Sequence, residues 1–98
     1  MATLQIEHSI SDLDTWLGAF NNFADARTNA GVRAHRVRQP VGDPTYIVID
    51  LDFDDAEGAH RFKEFLEGVV WQSKELSPGL AGAPSARVLE DVDPSRLR

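Results

Sequence analysis

Cysteine is absent from the sequence, which removes disulfides, thiolate nucleophiles and thiolate metal sites together. Basic charge is scarce as well. Ten Lys and Arg stand against sixteen Asp and Glu, for a net charge of −6. That balance lacks the basic face that phosphate backbones require, so no nucleic-acid partner is expected. No apolar run approaches the roughly 20 residues of a membrane span, so no membrane partner is expected either. Met1 to His8 has neither the basic start nor the apolar centre of a signal peptide. The expectation is a soluble, cytoplasmic protein. There is no Gly-rich phosphate loop and no nucleophile elbow.

What is present is a globular composition over 98 residues, 42% hydrophobic and 27% charged. It suits one domain, 1–98, with 93–98 as a polar tail. The stretch that orders the rest is Tyr46–Glu57. Ile47, Ile49, Leu51 and Phe53 recur at every second position and share one strand face. Tyr46, Val48, Asp50 and Asp52 take the other. Asp54 then reads as the cap of a helix, with Glu57 completing a capping-box spacing. Ala59, Phe62, Phe65, Leu66, Val69 and Val70 predict that helix's buried stripe.

Upstream, Thr3–His8 alternates as a first strand, with Leu4, Ile6 and His8 on the apolar side. Ser11 reads as the cap of a helix over 12–29, whose apolar stripe is Leu13, Trp16, Leu17, Phe20, Phe23 and Ala24. Arg27 falls on its wet side, and Gly31 stops it. Residues 32–38 form a less regular strand that invites a bulge. Gln39–Pro44 is a turn, so this strand and the next form a hairpin. Ser77–Pro84 reads as a loop and 86–92 as a last strand.

The order strand, helix, strand, strand, helix, strand predicts an α+β, ferredoxin-like βαββαβ fold. Its four-stranded antiparallel sheet carries two helices on one face. The bare face should carry Gln5, Glu7, Tyr46, Val48, Asp50 and some of His35, Val37, Val88 and Leu89. That mixture suits a partner sheet.

Several stretches carry a family likeness: the strand ending in His8, the run Ser11–Trp16, Gly31-Val32-Arg33, the Asp43-Pro44 turn and Phe53–Phe62. With them the chain, over roughly residues 3–92, resembles the dimeric α/β-barrel superfamily. That group includes antibiotic biosynthesis monooxygenase-like, polyketide cyclase-like and stress-responsive barrel proteins. The likeness is strongest to small uncharacterised bacterial members with a start like His8, Asp12, Asp14 and Trp16. The resemblance implies a homodimer whose sheets meet face to face, with a pocket between each sheet and its helices or loops. It implies a small organic ligand and cofactor-independent monooxygenase or cyclase-like chemistry. A non-catalytic dimeric binding or structural module is the alternative. No cofactor is expected.

Five residues are candidates for a site. His8 is a general base or substrate hydrogen-bonder, or else a structural histidine bonding a backbone group. Trp16 is core or pocket wall, and Trp71 is a pocket lid or a loop anchor. His35 and Tyr46 could line a pocket with Asp50 if the hairpin register puts them on one face. Arg33, Arg36 and Arg38 suit cross-strand pairing with Glu7, Asp50 or Asp52 better than anion binding.

No metal site is expected. Asp50-x-Asp52-x-Asp54 fails as a calcium loop, with Asp55 where Gly is needed and Arg61 where Glu is needed. His60 and Glu64 alone make weak ligands on an exposed helix.

Overall fold

The computed structural model describes residues 1–98. Strand β1 (Ala2–Ile10) leads into helix α1 (Leu13–Asn22) and a short helix α2 (Ala24–Asn29). Strands β2 (Ala34–Arg38) and β3 (Tyr46–Phe53) form the hairpin. Helix α3 (Ala56–Phe65) runs into a wide turn over Leu66–Val70, and β4 (Leu80–Glu90) closes the sheet. A single 3₁₀ turn, Pro94–Arg96, follows. The strand order is β2-β3-β1-β4, antiparallel throughout, with β1 and β3 central. No helix is long and apolar enough to cross a membrane.

The alternation of β3 is the alternation of burial. Ile47, Ile49, Leu51 and Phe53 are all buried, while the residues between them are half-covered. They join Leu4, Ile6, Ile10, Trp16, Ala59 and Phe62 in one core between sheet and helices. The reverse face is a polar lattice. Thr3 donates to Asp52, Gln5 to Asp50, Tyr46 to Glu7, and Arg87 to Gln5. Arg38 pairs with Asp50 at 2.9 Å, the cross-strand pairing its position suggests.

Both helix caps lie one residue later than expected. Asp12, not Ser11, caps α1, accepting from the Thr15 amide at 2.8 Å. Strand β1 continues to Ile10 and the Ser11 amide is spent on the Gly79 carbonyl, so the chain stays extended through Asp12. Asp55, not Asp54, caps α3 through the Gly58 amide, because Asp54 is engaged by Arg33 at 2.7 Å. The helix expected over 12–29 is two helices with a break at Phe23. The second ends as expected at Gly31 (φ 95°). There the Val32 amide reaches the Arg27 carbonyl and the Gly31 amide reaches Thr28, which is a Schellman ending.

The bulge is in a different strand. The β2–β3 ladder is regular. It is β1–β4 that slips, pairing Glu7 with Ser85 but Ser9 with Ala81. Gly82, at φ 74°, and Pro84 belong to this slip. A proline and a left-handed glycine are what an edge-strand bulge accommodates, so a stretch read as loop is strand.

Candidate functional site

The site is built around the position where β1 meets the bulge. His8 pairs with Ile47 on its other side and points to the helix face, 4% exposed. Its Nδ1 lies 2.9 Å from the Ser9 carbonyl. A carbonyl only accepts, so Nδ1 carries the proton and Nε2 presents a lone pair in the neutral ring. Every fully covered side-chain nitrogen and oxygen in the molecule has a partner. Nε2 has none, so it is reached from open space. Desolvation holds the imidazole below its ordinary pKa, and the bond to Ser9 only partly opposes that. His8 is therefore neutral near pH 7.

That open space is a cavity of about 90 Å³ between the sheet and the helices, open to solvent on one side. Ile6, Ile49 and Leu51 form its floor. Trp16 and Phe20 of α1, Phe62 of α3, and Leu66 and Val70 of the wide turn form its walls. Trp71 and the segment Leu76–Pro78 form its rim. Trp16 stacks on Phe20 at 5.0 Å between ring centres and stands 6.5 Å from the His8 ring.

The wide turn explains why Trp71 reaches the cavity. The Trp71 amide bonds the Leu66 carbonyl, five residues back, so the last turn holds an extra residue. The change of phase buries Val70 and turns Val69 outward, 47% exposed. Phe65 is exposed too. Of the expected stripe, Ala59, Phe62 and Val70 are buried and Leu66 is half-buried.

The rim is held by Gly79. Its φ is 88°, and a Cβ there would stand 3.0 Å from the Trp16 amide nitrogen. Only glycine lets the loop approach α1 this closely while its carbonyl accepts from Ser11.

No family model matches the chain, and no curated protein matches it. Solved structures do. A protein from Nitrosomonas europaea, provisionally named an antibiotic biosynthesis monooxygenase, superposes with a TM-score of 0.67 at 16% identity, over 95% of this chain and 100% of its own. An uncharacterised NIPSNAP domain protein from Burkholderia xenovorans gives 0.60 at 16%, over 94% and 95%. A protein of an uncultured marine organism, described as dimeric and ferredoxin-like, gives 0.59 at 9%, over 95% and 96%. The chain has the ferredoxin-like fold of these proteins.

Within the ferredoxin-like frame, the five candidates divide. His8, Trp16 and Trp71 meet at the cavity. His35 and Tyr46 do not join them, and they lie on opposite faces of the sheet. His35 pairs with Leu51 and Tyr46 with Ser9, so the register settles the matter. His35 is exposed on the helix side, edge-on to Phe20 with 5.4 Å between ring centres. Tyr46 is on the reverse face, its hydroxyl 2.8 Å from Glu7. Val37 and Val88 also fall on the helix side, and Leu89 on the reverse.

Arg27 is the residue that sequence reasoning missed. Placed on a wet face by the helical wheel, it is 7% exposed and lines the cavity. The break at Phe23 turns α2 off the line of α1. Arg27 can then reach back, donating through Nη1 to the Phe20 carbonyl and lying 3.6 Å above the Phe20 ring. A continuous 3.6-residue wheel cannot show that.

Proposed function

We propose that the protein is a homodimer that binds a small organic molecule in the cavity between its sheet and helices. His8 acts there as base or orienter. The observation that carries this reading is the accessible Nε2 of a buried, neutral histidine in a mainly apolar, aromatic cavity. Such a nitrogen accepts a proton from an acidic O–H or C–H of a bound ligand. The anion so formed is the starting point of a cyclase-like ring closure or of a cofactor-independent oxygenation. In the oxygenation, dioxygen turns a CH₂ into C=O and the second oxygen leaves as water. Trp16 and Trp71 shape the space. The likeness to a protein named as a monooxygenase and to one described as dimeric supports the reading at the level of fold.

A panel of anthrones, hydroquinones and β-diketones, followed by tryptophan fluorescence and oxygen uptake, tests it. Both tryptophans of the chain line the cavity, so a bound ligand must change the emission. His8→Gln should bind the same compounds and lose about 100-fold or more in turnover. Turnover equal to the parent's removes the role of His8. The non-catalytic module has one observation in its favour: Nδ1 of His8 is already spent on the backbone, and no carboxylate lines the cavity beside it. Binding without any reaction across the panel would select that reading.

A further inference from the structure

The four ion pairs of the chain use Arg33, Arg38, Arg61 and Lys63. Arg27 belongs to none of them. It is nevertheless among the most covered polar residues, at 7% exposure, and it faces the cavity. A covered guanidinium without a counter-ion is a costly arrangement, because its hydration is reduced and no opposite charge replaces it. Desolvation accordingly pulls its pKa below the ordinary value, but an arginine stays charged.

Resting on the reading that the cavity holds a small organic molecule, we infer that Arg27 anchors an anionic group of that molecule. The ligand class is then a small, mainly apolar organic acid bound as its carboxylate. The contacts within the protein do not use up the guanidinium. One of its five N–H groups donates to the Phe20 carbonyl, which fastens the end of α1 to α2. The Phe20 ring covers one face of the guanidinium plane. Nε and Nη2 have no partner in the protein, and neither is sealed off. They offer the planar fork that matches a carboxylate. The apolar lining strengthens such a pair by keeping the local dielectric low. The chain as a whole is acidic at −6, so attraction of an anion must be local to this residue. His8 does not duplicate the role, since its neutral ring supplies an acceptor at Nε2. The cavity therefore holds both a cation and a base, which suits a ligand that carries an acid group and a removable proton.

Benzoate and benzamide have the same shape and differ in charge, so they separate the two claims. Their affinities are measured at pH 8 by tryptophan fluorescence and by chemical-shift titration. Benzoate should bind about tenfold or more tighter than benzamide, the scale of a charge-assisted pair. Arg27→Met should abolish that preference, lowering benzoate affinity more than benzamide affinity. Arg27→Lys should keep part of it. Equal binding of the two compounds by the parent overturns the anion anchor and leaves the cavity reading standing. An undiminished benzoate preference in Arg27→Met overturns it equally. Binding of neither compound overturns both. Should Arg27→Met fail to fold, the ratio in the parent and in Arg27→Lys decides.

Discussion

A buried base is a liability for folding, and His8 makes that liability measurable. Its native pKa is depressed, whereas the unfolded chain titrates near the ordinary 6.5. Between 6.5 and the lower native value, the unfolded state binds more protons than the native state. Stability therefore falls as pH drops through that window, and it is unaffected by His8 well above it. Urea unfolding of the parent from pH 7.5 to pH 5 should show this slope, and His8→Phe should flatten it; an identical slope in both proteins would contradict the burial. Gly79 is a second sensitive residue. Gly79→Ala meets both the left-handed backbone and the contact with the Trp16 amide. It should destabilise the protein by about 1–3 kcal/mol in thermal or urea unfolding. At this scale His8, Trp16 and Trp71 were legible in the sequence as site candidates. Arg27 was not named and His35 was named but stands outside the cavity, because their placement depends on a helix break and a strand register that residue type alone does not encode.

Single-residue shifts at the ends of elements separate what was legible from what was not. The six main elements and their order follow from two periodicities, the two-residue alternation of Tyr46–Phe53 and the three-to-four spacing of Leu13–Ala24. Their boundaries depend on competition for backbone amides. Asp54 was the expected cap, but Arg33 claims it and the cap passes to Asp55. Asp55→Ala should accordingly lower stability by about 1 kcal/mol, as the loss of a helix cap does. Asp54→Ala should cost distinctly less, since the pair it breaks is exposed. Equal effects in thermal unfolding would contradict the cap assignment. The wide turn after α3 and the slip in β4 have no periodic signature. Gly82 and Pro84 marked the second only as a departure from regular strand, which a loop explains equally well. Both irregularities lie at the cavity: one brings Trp71 to its rim and the other lies beside His8. The regular parts of the chain make the sheet, the core and the floor of the cavity, and the irregular parts complete its lining.

For the whole molecule, two faces of one sheet do different work. The helix face holds the core and the cavity. The reverse face holds Tyr46, Val48, Asp50 and Asp52 in a polar lattice with β1 and the edge strands. In the proposed homodimer that face meets a second copy. Light scattering at micromolar concentration should then give about twice the chain's 10.8 kDa. Val48→Asp adds a charge among Glu7, Asp50 and Asp52. It should weaken the dimer about tenfold or more while leaving the cavity intact. A monomeric parent would remove the sheet-to-sheet assembly without touching the site on the other face. The proposed ligand binding depends on that site. Its most direct test is chemical-shift mapping with benzamide, which isolates the cavity from the question of charge. The two indole N–H signals, Trp16 and Trp71, and the imidazole of His8 should move together on titration, with Tyr46 and the reverse face still. Shifts confined to Tyr46, Glu7 and their neighbours, or no shift at either tryptophan, would contradict it.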